Sequence, residues 1–192
     1  MEEKKIVQTF NPLSRKEWRK WLEKNHAKEK NVRVVILHKN ASAKGIHYED
    51  AVQEALCFGW IDSTTNKRDD ESYLIYFAQR SPTSKWSSPN KLRVAKLIKE
   101  GLMTPAGKKM IDLAKNTGTW EALESIEAME IPSDLQKQFN TNKTALKNFQ
   151  AFSPSSRKII LGWIFDAKRH ETREKRIEKT IQFAVKNLKA YP

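Results

Sequence analysis

The chain has 192 residues, 36 Lys/Arg against 23 Asp/Glu for a formal net charge of +13, and 39% hydrophobic residues. This composition excludes a disordered chain, and no apolar run approaches the roughly 18 residues that a membrane span requires. A single cysteine, Cys57, excludes an intramolecular disulfide and fits a reducing compartment.

The first ten residues, MEEKKIVQTF, carry two glutamates and no apolar core, so they are not expected to act as a secretory leader. With the lone cysteine, this points to a cytoplasmic protein. A short strand is expected near Val7–Phe10. Ser14 and Glu17 then have the S-x-x-E spacing of a capping box, with Leu13 and Trp18 placed as a hydrophobic staple. The helix that follows puts Trp18, Trp21 and Leu22 on one face. Val32–His38 is β-branched and reads as a strand.

Tyr48, Ala51, Val52, Ala55 and Leu56 repeat at i, i+3, i+4, i+7 and i+8, the apolar face of a helix that Gly59 can end. Trp60–Thr65 and Ser72–Ala78 read as two strands of an antiparallel hairpin across the charged turn Asn66–Glu71. The polar loop from Gln79 to Lys91 still contains Trp86. Ser88-Pro89, Thr104-Pro105 and Ser153-Pro154 each pair a capping residue with proline, a helix-start signal. A short helix is expected over Trp120–Met129, and Glu130–Asp134 reads as a joint. Beyond it the pattern is wholly helical, with Ile159, Ile160, Trp163, Ile164 and Ala167 on one helix and Ile177, Ile181, Ala184, Val185 and Leu188 on the last. The expected fold is α+β: a small antiparallel sheet flanked by helices over 1–130, then a C-terminal helical subdomain over 131–192.

Trp60 and Asp62 share a strand face, Arg80 ends the partner strand, and Trp86 and Asn90 follow on the loop and helix start. Arginine beside a helix N-terminus suits an anion, and a tryptophan face can stack a ring or a guanidinium. The five residues therefore form a candidate pocket for a small anionic or aromatic ligand. The plainer arrangement of the same residues is an Asp62–Arg80 ion pair with Trp86 filling the core.

The charge is uneven: residues 135–192 hold 13 Lys/Arg against 4 Asp/Glu. Arg157, Lys168, Arg169, Arg173 and Arg176 make an alternative site for nucleic acid or an anionic surface. Glu171, Glu174 and Glu178 interleave with them and offer internal partners. His26, His38, His47 and His170 are scattered without metal-ligand spacing, so no metal is expected. Gly101…Gly107-Lys108 has the wrong spacing for a phosphate loop and Lys109 in place of its Ser/Thr, and no cofactor motif is present. Cys57 sits near a helix C-terminus between Leu56 and Phe58, which suits a core residue better than a nucleophile.

Together, ALCFGWID at 55–62, the loop Arg80…Ser84-Lys85-Trp86-Ser87…Asn90, GLMTPAG at 101–107, Ser153–Arg157 and the run from Trp163-Ile164 to Arg176-Ile177 resemble the YdeI/OmpD-associated, or bacteriocin-protection, family. Ser63 and Ser81 stand where many members have a glycine and a second basic residue. The resemblance implies a stress-protection role, against antimicrobial peptides or in association with a porin, and makes residues 131–192 an OmpD-associated-like subdomain. It supplies no reaction, cofactor or catalytic residue, so the expected function is non-enzymatic binding.

Overall fold

A computed structural model of the chain describes residues 7–190. The first six residues, on which most of the leader argument rests, lie outside the described part. The chain divides into two compact units, Met1–Glu121 and Ala122–Pro192.

The first unit is built on a four-stranded sheet in the order β1-β2-β4-β3. These strands are β1 (Thr9–Phe10), β2 (Asn31–Leu37), β3 (Trp60–Lys67) and β4 (Ser72–Gln79). β4 is antiparallel to both β2 and β3, as the hairpin reading requires. β1 instead pairs parallel to β2, matching Thr9 with Arg33 and Phe10 with Val34, so the sheet is mixed rather than wholly antiparallel. The β3–β4 register shifts between Asp62 and Thr65. At the hairpin turn, Asp69 Oδ1 accepts from the backbone N–H of Glu71 and of Ser72 and from the Ser72 hydroxyl.

Helix α1 (Arg15–Asn25) starts at Ser14, whose hydroxyl accepts from the Glu17 N–H. The Glu17 carboxylate reaches back to the Leu13 N–H at 2.9 Å. Leu13 itself is exposed, whereas Trp18 is fully buried, stacked 5.2 Å from Trp21 and donating its indole N–H to Ala51. Helix α2 (Tyr48–Cys57) is buried along most of its length and ends at Gly59, whose φ of +73° is the left-handed exit that glycine tolerates best. Glu54 on α2 is 3% exposed and is clamped by Arg15 at 2.6 Å and Arg19 at 2.7 Å.

Helices α3 (Ser88–Lys99) and α4 (Pro105–Asn116) complete the unit. The cap of α3 is Ser87, one residue before the Ser88 expected from the sequence. Thr104 joins α4 to α2: its hydroxyl accepts from the Gly107 N–H and donates to the Cys57 carbonyl at 2.6 Å. Gly107 sits against the same carbonyl so closely that a Cβ there would collide with it. The motifs ALCFGWID and GLMTPAG are thus the two sides of one helix-end contact.

The second unit is helical: α5 (Glu124–Glu127), α6 (Ser133–Thr141), α7 (Lys143–Ala151), α8 (Pro154–Phe165) and α9 (His170–Val185). Its own core gathers Ile126, Leu135, Phe139, Phe149, Ile160, Ile164 and Ile177. Ile126 on α5 belongs to this core, so the structural division falls before the 130/131 boundary drawn from the sequence.

Candidate functional site

Arg80 follows β4 directly, and its backbone N–H donates to Gly59 at 2.9 Å, tying the strand end to the turn that closes α2. The loop then doubles back through a Ser81–Ser84 turn, and the Trp86 N–H bonds to Thr119. This return lays the Trp86 ring against the Arg80 guanidinium, 3.7 Å from ring centre to Cζ. Arg80 is 5% exposed. Its Nη2 donates to the Lys85 carbonyl at 2.6 Å, while Nε and Nη1 are buried and make no hydrogen bond. Burial pulls its pKa down to about 10, against the opposing pull of the Asp62 charge. The stack continues from Trp86 to Trp120, with ring centres 5.0 Å apart, and Lys91 and Lys115 lie over Trp120.

Asp62 and Arg80 form no ion pair. Asp62 instead accepts the Tyr48 hydroxyl at 3.0 Å. Burial, then the neighbouring Asp62, pushes the Tyr48 phenol up to about 12. Asn90 Oδ1 accepts from Arg93 at 2.9 Å, and Arg93 forks onto Glu49, with Nε 2.9 Å from Oε1 and Nη2 2.7 Å from Oε2. Those bonds hold the Glu49 carboxyl down at about 2.

Trp60 lies in the core, 1% exposed, with its indole N–H on the His26 carbonyl at 3.1 Å and its ring edge-on to Trp21. The five residues picked from the sequence therefore occupy three settings. Trp60 is core packing, Arg80 and Trp86 form a stack, and Asp62 and Asn90 belong to a polar network with Tyr48, Glu49 and Arg93. Those last three and Trp120 are not among the site residues read from the sequence, which places Tyr48 on a helix face and Trp120 at a helix start. Arg93 stands one helical turn after Asn90 and Glu49 lies in the first turn of α2, spacings that offered a signal.

The basic C-terminal set divides as well. Arg173 is held by Asp134 at 2.5 Å and 3.0 Å and also donates to the Ile164 carbonyl. Arg176 donates to the Trp163 carbonyl and lies over its ring. Two arginines of α9 thus reach carbonyls in the last turn of α8, where the Ile164 carbonyl also accepts from the Ala167 N–H. Lys168 and Arg169 are exposed between the two helices, and Arg157 is half-buried with Nε unbonded. A groove of about 640 Å³ runs beside α9, lined by Lys137, Arg173, Glu174, Ile177 and Ile181.

Cys57 is fully buried, and burial pushes its thiol up to about 11, so it is held as the neutral thiol at physiological pH. No group of three or more His, Cys, Asp or Glu among the described residues is placed to hold a metal ion. No helix among them is long and apolar enough to cross a membrane.

Two family matches account for most of the chain. Residues 10–110, which carry both the helix-end contact and the Arg80–Trp86 stack, match a family described as a domain of unknown function, DUF8412. Residues 128–187 match the family described as bacteriocin-protection, YdeI or OmpD-associated. The chain belongs to the DUF8412 family through its α+β unit and carries the bacteriocin-protection, YdeI/OmpD-associated domain in its helical unit. No curated protein and no solved structure matches it.

Proposed function

We propose that this chain is a non-enzymatic binding protein of the stress-protection type, working in the cytoplasm, whose α+β unit holds a small anionic ligand at Arg80. The observation that carries this reading is the Arg80 guanidinium, almost wholly buried against Trp86 with two of its three nitrogens unbonded. Leaving charged donors buried and unsatisfied is costly, and a ligand acceptor would remove that cost. Elsewhere in the unit, Asp62 is taken by Tyr48, Glu49 by Arg93, and Cys57 is a neutral thiol. The test is a thermal-shift screen of metabolites, nucleotides and short DNA or RNA at low and physiological salt. Stabilisation by a small anion that survives salt supports the reading, and its persistence after Arg80→Met removes Arg80 from it.

A second reading, contact with nucleic acid or an anionic surface, draws on the net charge of +13 and on exposed Lys168 and Arg169. It is weakened because Arg173 and Arg176 are already spent inside the helical unit. Stabilisation by nucleic acid alone, fading with salt, would favour it.

A further inference from the structure

The helical unit is basic, with 13 Lys/Arg against 4 Asp/Glu over residues 135–192, yet its acids are not spread among its cations. Glu174 and Glu178 both line the groove of about 640 Å³ beside α9, and Asp134 of α6 lines it too. Helix α9 meets this groove with two rows of side chains, each stepping one turn at a time. One row runs His170, Glu174, Glu178, Gln182 and holds no lysine or arginine. The other runs Arg173, Ile177, Ile181. Ile177 is buried and Ile181 half-buried, so they form a floor, while the exposed Glu174 and Glu178 stand on the rim. Arg173, bonded to Asp134, ties α9 to α6. Two other cations of α9 turn elsewhere, Arg176 and Lys179 lying over Trp163 of α8. Glu174 meets His170 at 3.3 Å and Glu178 accepts from Gln182 at 3.1 Å, and neither meets a lysine or arginine among the described residues. Like charges one turn apart disfavour a helix, so the fold alone gives no reason for this pair.

We infer that this groove docks a basic amphipathic helix of a protein partner, its apolar residues on Ile177 and Ile181 and its lysines or arginines against Glu174 and Glu178. This is a second binding surface, in the helical unit, and it stands independently of the Arg80 reading. From His170 to Gln182 the groove follows α9 for about 18 Å, the length of three helical turns. A partner helix presents apolar residues at i and i+4 on one face with charged residues beside them, the spacing at which α9 offers its isoleucines and glutamates. Charge selects the partner. An acidic helix or a nucleic-acid backbone would meet two carboxylates that lack a counter-ion, and a neutral apolar helix would cover the floor while stripping water from the rim. Only a basic helix gains from both rows. Lys137, on the α6 side, repels a cation there and so confines the partner's basic residues to the α9 rim. The net charge of +13 turns a cationic partner away from the rest of the surface.

The test titrates the full-length chain into a fluorescein-labelled helical peptide of about four turns, with leucines along one face and lysines flanking them. Fluorescence anisotropy at physiological salt is expected to show saturable binding. A peptide of the same composition with its leucines dispersed around the helix should not bind. Glu174→Lys combined with Glu178→Lys should weaken the amphipathic peptide by roughly tenfold or more. Should that reversal fail to fold, Glu174→Gln with Glu178→Gln removes the rim charge alone and is expected to weaken binding in the same direction. A glutamate-for-lysine peptide, drawn to the basic surface at large, should gain from the reversal rather than lose. No binding of the lysine peptide, equal binding of the dispersed one, or binding unchanged in a folded rim variant would each overturn the proposal. Self-association of the free chain that the reversal abolishes, read by sedimentation, would assign the groove to a second copy and overturn it too. Each of these failures leaves the Arg80 reading intact, since that site lies in the other unit.

Discussion

The Thr104 hydroxyl bridges two helices, donating to the Cys57 carbonyl at the end of α2 while capping the Gly107 N–H at the start of α4. Thr104→Val keeps the shape and loses both bonds, leaving a buried carbonyl with only the backbone N–H of Thr104. We expect a loss of about 1–2 kcal/mol, read as a lower urea midpoint with an unchanged slope. Gly107→Ala should cost more, because its Cβ would meet the Cys57 carbonyl rather than a flexible side chain.

Glu54 carries the second prediction. Its side chain is 4% exposed and bridges Arg15 and Arg19, so Glu54→Gln leaves two cations facing a neutral amide. The arginines retain some water, which reduces the cost to about 2–3 kcal/mol, below that of a fully buried broken pair. Thermal melts of Glu54→Gln alone and combined with Arg19→Met would separate loss of the pair from loss of packing. A melting temperature equal to wild type for Glu54→Gln would show that the clamp contributes nothing.

Acid should weaken both units. Glu49 lies at about 2 in the fold because Arg93 bonds its charged form, and Asp134 is lowered in the same sense by Arg173. A carboxylate whose folded pKa is depressed stabilises the fold above its unfolded value and loses that contribution as pH falls through the folded one. For Glu49 the window runs from about pH 4.5 down to about 2. Arg93→Leu should flatten the part of the acid-unfolding profile owed to Glu49, and Arg173→Leu the part owed to Asp134. An unaltered profile in both variants would refute the assignment.

Cys57 should resist thiol reagents. Buried and pushed up to about 11, it offers almost no thiolate at pH 7.5, so labelling of native protein with a disulfide reagent should be slow. Labelling should become fast and stoichiometric in denaturant. Rapid labelling of native protein would instead show that the α2–α4 contact opens readily.

The elements legible in the sequence are those whose period or punctuation is local. Val32–His38 is β-branched and forms β2 within one residue at each end, and Thr104-Pro105 and Ser153-Pro154 start α4 and α8 as read. β1 was placed only roughly and its parallel pairing was missed, since two residues carry no period and their partner lies across α1. The candidate site was legible in residue types but not in pairings. Asp62 and Arg80 looked complementary on neighbouring strands, yet Tyr48 from α2 reaches Asp62 first, and the loop return brings Trp86 and the Lys85 carbonyl to Arg80. Those choices depend on how α2, the hairpin and the loop close in space, which no single stretch encodes.

The register shift in β3 bears on how crowded copies of this protein behave. β3 is an edge strand, and beyond Asp62 it presents exposed Ser63, Thr64, Thr65, Asn66 and Lys67. Ser63 stands beside the shift, with its hydroxyl reaching the Tyr76 carbonyl at 3.4 Å. A polar strand with a broken register and a terminal lysine is a poor template for a neighbour's strand, so the sheet discourages end-to-end growth into fibrils.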